Sequence, residues 1–174
     1  MSSDRDDQSP VPVSVSRVEM TQLVLPGDTN SLGTAFGGRI MAWLDIAAGI
    51  SAGRHSAGPV VTASVDDLHF IRPIRQGHVV VLKAQVNYVG TSSMEVGVRI
   101  EGERWGGERY HALTAYTTFV ALDEDRRPRP ARKILLESDE DRRRAREAAA
   151  RMAARRARRE HRAARLDDYD EPAI

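Results

Sequence analysis

One stretch constrains the fold more than any other: Phe36-Gly37-Gly38-Arg39-Ile40-Met41-Ala42-Trp43-Leu44-Asp45-Ile46-Ala47-Ala48-Gly49-Ile50. Apolar side chains fill positions 40–44, 46–48 and 50, so turning through a period of 3.6 residues leaves no polar face. A helix of this kind needs cover from the rest of the fold on every side. Asp45 is its one acid. A carboxylate is rarely taken out of water without a partner, because desolvation costs several kcal/mol, and Asp45 is therefore the first candidate for chemistry. Gly37-Gly38 opens the helix and lets a ligand or another backbone approach its free N–H groups, where the positive dipole end would face an oxyanion. Taken singly, each feature has a plainer reading: paired glycines form a turn, and a mid-helix Asp is satisfied by an Arg or a backbone N–H. Together they point to a site that polarises a carbonyl.

The flanking patterns supply the cover. Residues 1–14 are polar, with Asp4, Asp6, Asp7 and two prolines, and a disordered leader is expected there, lacking the basic and apolar regions of a signal peptide. Residues 17–25 read as a first strand, closed by the turn residues Pro26-Gly27-Asp28-Thr29-Asn30. The helix is expected to end near Gly53, with His55 to Pro59 as exit loop. From Val60 onward the period becomes two. Val60 to Phe70 is a strand. Val79 to Val89 places Val80, Leu82, Ala84, Val86 and Tyr88 on one face against Lys83, Gln85 and Asn87. Ser93 to Glu103 sends Met94, Val96, Val98 and Ile100 inward and Ser93, Glu95, Arg99 and Glu101 outward. Trp105 to Glu108 reads as a hairpin turn, and Tyr110 to Leu122 as a last strand apolar on both faces.

One strand, one buried helix and four further strands predict an α+β chain in which a curved antiparallel sheet wraps a long central helix, the hotdog arrangement. A single sheet leaves part of such a helix uncovered, so a second subunit is expected to complete the burial. The expected organisation is a leader at 1–14, one domain at 15–133 and a charged helical tail at 134–174.

The tail holds the chain's charge asymmetry. Eleven arginines lie between Arg142 and Arg165 against Glu147 and Glu160, although the whole chain carries a net charge of only +1. Acid in the first turn and base thereafter suit a helix dipole. The apolar content there is mostly alanine, with Met152 and Leu166 the larger exceptions, so an exposed, partly frayed helix is expected. A charged run of this kind is most simply a solvated face, and no retention of nucleic acid at physiological ionic strength is expected.

Several chemistries are excluded. With no cysteine there is no disulfide, thiolate catalysis or zinc–sulfur site. His55, His69, His78, His111 and His161 are scattered and read as structural, leaving no metal pair by local spacing. No G-x-S-x-G elbow marks a serine esterase. No apolar run approaches the ~20 residues of a membrane span, and a cytoplasmic location is expected.

In order along residues 17–133, the chain carries Asp28-Thr29-Asn30, Gly33, Phe36-Gly37-Gly38, Met41-Ala42-Trp43-Leu44-Asp45, Arg54-His55, Thr62-Ala63-Ser64-Val65-Asp66, Phe70-Ile71-Arg72-Pro73-Ile74, Val89-Gly90-Thr91-Ser92-Ser93-Met94-Glu95-Val96 and Thr114-Ala115-Tyr116-Thr117-Thr118-Phe119-Val120-Ala121-Leu122-Asp123. With these pieces the chain resembles the hotdog-fold acyl-CoA thioesterases, in the group of the YciA-type and brain-type acyl-CoA hydrolases. The resemblance implies hydrolysis of a fatty acyl-CoA to fatty acid and coenzyme A, which is substrate and not cofactor; no cofactor or metal is implied. It implies Asp45 as catalytic base or nucleophile, Asn30 from the other subunit of a homodimer, and the Gly38 N–H at the oxyanion. Thr91, Ser92 and Ser93, whose hydroxyls otherwise complete a turn between two strands, would then approach coenzyme A together with Gly37, and Ser64, Val65 and Asp66 would line the pantetheine and acyl path, although Asp66 reads equally as a solvated strand edge. Arg54, Arg72 and Arg75 are candidates for the nucleotide phosphates. It further implies a hexamer built from three dimers. Without the resemblance, Asn30 reads as a turn residue or cap. Hotdog dehydratases use a catalytic His, and no His precedes or occupies the expected helix. The competing function is a non-catalytic acyl-CoA-binding regulator whose basic tail contacts nucleic acid.

Overall fold

The computed structural model describes residues 9–167; residues 1–8 and 168–174, the outer parts of the expected leader and tail, lie outside it. Strands β2 (Val18–Leu23), β3 (Val60–Phe70), β4 (Val79–Val89), β5 (Ser93–Glu103) and β6 (Arg109–Ala121) form one antiparallel sheet in the order β2-β4-β5-β6-β3. Helix α1 (Gly37–Ser56) packs on its inner face, pressing Ile40, Leu44, Ala47 and Ala48 against Leu82, Val96, Ile100 and Phe119. Gly49 keeps that approach close, since a Cβ there would meet the Phe119 ring at 3.6 Å. This is the hotdog arrangement.

The helix runs past Gly53 and takes in His55. Its last turn closes on Ala57 in the left-handed region at φ 52°, whose N–H reaches the Gly53 carbonyl, and Pro59 prevents continuation. The His55 ring is fully buried, and Nε2 lies 2.8 Å from the Arg132 carbonyl oxygen. Burial lowers its pKa.

The sheet has four register shifts, and two of them bear on the expected faces near the site. Along β3, Thr62 pairs with Phe119 but Ser64 pairs with Thr118, so Ala63 is an extra residue and the two hydroxyl side chains fall on opposite faces. In β4 the register steps from Val86–Val96 to Tyr88–Glu95, which puts Tyr88 on the outer face and returns Val89 to the core. Strand β6 alternates, with Leu113, Ala115, Thr117 and Phe119 inside and Thr114, Tyr116, Thr118 and Val120 outside, instead of being apolar on both faces.

Both ends depart from expectation. The leader expected through residue 14 gives way at Val11: β1 (Val11–Pro12) pairs in parallel with β7 (Ile134–Leu135), and Val13 is fully buried. The alternating valines of Val11-Pro12-Val13 supply the apolar area that a disordered leader lacks. Ser16 Oγ accepts the Val86 N–H at 3.0 Å and donates to the Val13 carbonyl at 2.7 Å. At the other end, α2 (Asp139–Asp167) opens on a reciprocal cap: Ser138 Oγ accepts the Asp141 N–H at 3.1 Å and donates to Asp141 Oδ2 at 2.7 Å.

Helix α2 is not the exposed tail expected. Its first half lies across the outer face of the sheet, with Ala148 fully buried. Glu95 points outward from β5, as the alternation requires, yet has no solvent exposure because Arg151 covers it, with Nη2 at 2.7 Å and Nε at 3.2 Å from both carboxylate oxygens. The same guanidinium stacks 3.6 Å over the Tyr116 ring. Arg155 lies 3.7 Å from Glu95 and forms a second ion pair with Asp66 on β3. A face rich in alanine has little hydropathy but admits close packing, and these ion pairs supply the anchors.

The inner face stays half covered. Met41 (46% exposed), Ile46 (52%) and Ile50 project from α1 beside Val65 and Phe70 of β3, and Asp45 is exposed among them. The expectation that α1 is buried all round therefore fails within one chain, because five strands cover only one side. The bare flank adjoins β3, which is an edge strand of the sheet among the described residues. Among the described residues, no helix is long and apolar enough to cross a membrane.

Candidate active site

Asp45 sits on the uncovered side of α1, two turns beyond its N-terminus. Thr62 Oγ1 donates a 2.7 Å hydrogen bond to Asp45 Oδ1, which fixes the carboxylate against the edge strand. The bulge at Ala63 falls beside this contact, where it can set the aim of Thr62. Thr62 is the residue that sequence reasoning passed over: it stood in a quoted segment, but its partner lies 17 residues away on a different element.

Asn30 belongs to a different group. Its Oδ1 accepts the N–H groups of Leu32 at 2.9 Å and Thr34 at 3.2 Å, and its Nδ2 lies 3.0 Å from Thr34 Oγ1. This Asx turn satisfies the carbonyl oxygen and leaves one amide hydrogen to offer. Asn30 lines a cavity of about 340 Å³ with Gly37, Phe70, Ile71 and Arg72, at the opening of α1. The Gly37 and Gly38 N–H groups precede any intrahelical acceptor. A Cβ at Gly38 would meet the Phe36 ring at 2.5 Å, so a larger residue there would displace that exposed ring. Asp45 does not line this cavity. At 1.5 Å per residue it stands about 10 Å along the helix from Gly38, too far to act on the same atom within one chain.

A third group gathers on the outer face. Ser64, Thr91, Ser92 and Ser93, expected along the ligand path, line a cavity of about 940 Å³ whose far wall is α2, with Lys133, Arg155 and Arg156 on its border. The remaining candidates lie apart. Arg54 is at the opposite end of α1 from Gly37 and donates to the Arg17 carbonyl at 3.0 Å. Asp66 is held by Arg155, and Val65 projects onto the bare flank. Arg75 bridges to Thr34 through its backbone. Of the structural histidines, His78 Nδ1 lies 3.0 Å from the Tyr110 hydroxyl and His111 Nε2 lies 2.9 Å from Thr114 Oγ1.

A family model described as the thioesterase superfamily matches residues 32–104, which span α1 to β5. Over 127 residues the chain is 45% identical to an uncharacterized acyl-CoA thioester hydrolase of Bacillus subtilis, covering 72% of this chain and 74% of that protein. The chain belongs to the hotdog acyl-CoA thioester hydrolases. An acyl-CoA hydrolase from Staphylococcus aureus, solved with butyryl coenzyme A, coenzyme A and coenzyme A disulfide, is 35% identical with a TM-score of 0.85 over 92% of this chain and 99% of that one. Further structures of that hydrolase carry alanine in place of one aspartate, one threonine or one asparagine. A hexameric acyl-CoA thioesterase solved without ligand is 38% identical with a TM-score of 0.83, over 86% and 97% of the two chains.

Proposed function

We propose that this family member hydrolyses fatty acyl-CoA to fatty acid and coenzyme A, at sites assembled between two copies of the chain. The observation that carries the reading is the Thr62–Asp45 pair, an oriented carboxylate on a bare apolar flank. Asn30 and Asp45 occupy different regions of one protomer. Pairing two protomers along the bare flank of α1 and the free edge of β3 would set the Asn30–Gly38 end of one against the Asp45–Thr62 end of the other. The three residue types replaced by alanine in the Staphylococcus aureus hydrolase occur here as Asn30, Asp45 and Thr62, with the same spacing between them. The hexameric relative supports a trimer of such dimers.

In this site the Gly38 N–H and the Asn30 amide polarise the thioester carbonyl and hold the oxyanion that develops on its oxygen. Thr62 fixes the carboxylate through Asp45 Oδ1, which leaves Oδ2 to serve the reacting centre. Asp45 either takes a proton from an attacking water or attacks the carbonyl itself to form an anhydride that water then opens. Both routes add one water, break the C–S bond and return the sulfur as a thiol. The bare apolar flank receives the acyl chain.

Free-thiol release from acyl-CoAs ranging from acetyl to palmitoyl, by wild type beside Asp45→Asn, tests the reading. Wild type turns over at least one member, and the variant loses activity by about three orders of magnitude or more, as expected when a catalytic group is removed. In a single turnover in ¹⁸O-water, label found in Asp45 marks the anhydride route with water opening it at the Asp45 carbon. A folded wild type that binds acyl-CoA but releases no thiol from any member would refute the proposal.

A further inference from the structure

Asp28 and Arg39 take no part in the proposed chemistry, yet they form an ion pair at the base of the loop that carries Asn30, with Arg39 Nε 2.8 Å from Asp28 Oδ1. The loop runs from Asp28 to Phe36, and the Phe36 N–H closes it by donating to the Asp28 carbonyl at 2.8 Å. Above that base the tip is tied to itself. Asn30 Oδ1 holds the Leu32 and Thr34 N–H groups, and the Asn30 N–H donates to the Thr34 carbonyl at 2.9 Å. The Gly33 N–H returns to the Asn30 carbonyl at 3.0 Å, which Gly33 reaches at a left-handed φ of 70°. A tip bonded in this way moves as one body, so Asn30 is aimed by whatever fixes that body to its surroundings.

Two anchors do so. Toward the segment before β4, the Ala35 N–H donates to the Ile74 carbonyl at 2.7 Å and the Gln76 N–H to the Gly33 carbonyl at 3.1 Å. Toward α1, the chain enters the helix at Phe36, whose side chain makes no capping bond, and the Asp28–Arg39 pair ties the loop to the first turn. The Asp28 carboxylate is 13% exposed and divides its oxygens, Oδ1 to Arg39 and Oδ2 to the Leu25 N–H at 3.0 Å. One side chain thus joins the end of the first strand, the base of the loop and the helix. An exposed ion pair contributes little, and Arg39 is 47% exposed in one chain. Seven and eleven residues on, however, Ile46 and Ile50 share its face of α1, the bare flank along which the proposed dimer pairs. A partner seated there shields the pair from water and strengthens it.

Resting on the proposed thioesterase reading, we infer that Asp28 and Arg39 are positioning residues for Asn30. Their ion pair sets the angle between the loop and the first turn of α1, and with it the aim of the Asn30 amide at the carbonyl that the Gly38 N–H polarises. The pair itself touches no reacting atom. A misplacement of about 1 Å at such a group can cost about 100-fold in rate, so the aim matters more than the small stability of the pair.

The test uses the full chain and the double variant Asp28→Asn/Arg39→Met, which keeps an acceptor for the Leu25 N–H and leaves the net charge unchanged. Size-exclusion chromatography at the assay concentration checks assembly. In the otherwise wild-type chain the double variant lowers kcat for thiol release by about tenfold or more and leaves KM within about twofold. In Asn30→Ala, assayed at enzyme concentrations high enough to read its residual rate, the same two substitutions change kcat by less than about twofold, because the group they aim is gone. Equal losses in the two backgrounds, a loss carried by KM, or a loss that follows dissociation of the assembly overturns the inference. Hydrogen–deuterium exchange of peptides spanning residues 28–36 needs no turnover. Faster exchange there in the double variant, with the sheet unchanged and no thiol release by wild type, sinks the thioesterase reading and keeps the anchor. Thiol release by wild type with unchanged exchange does the reverse.

Discussion

Replacing Arg151 with methionine isolates what holds α2 to the sheet. Glu95 has no solvent exposure, and Arg151 supplies its closest partner at 2.7 Å while remaining 22% exposed itself. Burial works against the arginine's charge, and the bond and charge of Glu95 outweigh it, so its pKa stands above the ordinary value. Breaking a fully buried ion pair from one side costs about 3–5 kcal/mol. Arg155 stays 3.7 Å from the carboxylate and the site borders solvent, which brings the expected loss to about 2–3 kcal/mol. For a chain of this size that is a fall in Tm of about 5–10 °C. Urea unfolding at fixed protomer concentration measures it, with amide exchange along α2 reporting release of the helix. Adding Glu95→Met removes the stranded charge, and the double variant should recover to within about 1 kcal/mol of wild type. A single variant as stable as wild type, or a double variant less stable than the single, would refute the account.

Two further outcomes follow from contacts already described. Thr62→Val removes the donor to Asp45 at nearly constant volume; a bond to a charged group contributes about 1.5–3 kcal/mol, so kcat should fall about 10- to 150-fold, and a loss under twofold in thiol release would exclude orientation of Asp45 by Thr62. His55 titrates below 6.5 in the folded chain because burial penalises its charge, whereas the unfolded chain binds the proton at about 6.5. Its contribution is therefore fully present above that pH and is lost as pH falls through 6.5 toward the folded value. The drop in urea midpoint between pH 7.5 and 5.5 should be smaller in His55→Gln, and identical slopes in the two proteins would count against it.

The parts of the fold legible in the sequence were those set by local periodicity. The inward rows Met94, Val96, Val98 and Ile100 of β5 and Val80 to Val86 of β4 follow directly from alternation, as does the placement of α1. The bulges were not legible: Thr62 and Ser64 are two residues apart and would share a face in a regular strand, and only pairing with β6 shows that Ala63 is extra. Docking of α2 was missed because the matching carboxylates, Glu95 and Asp66, are far away in sequence and alanine hides a packing face from any hydropathy reading. Asp45 stood out because it is an isolated acid in an apolar helix, whereas Thr62 is an unremarkable residue until the fold brings it to 2.7 Å.

The separation of Asn30 from Asp45 along one chain has a genetic consequence. In the proposed dimer each protomer contributes opposite halves of two sites, so a protomer altered at Asp45 spoils one site and a protomer altered at Asn30 spoils the other half of the same kind of site. When the two altered chains pair, both lesions fall in one site and the second site is whole. Two inactive alleles would then complement: random mixing in equal amounts yields mixed pairs in half of all dimers, each with one working site of two, or about a quarter of full activity.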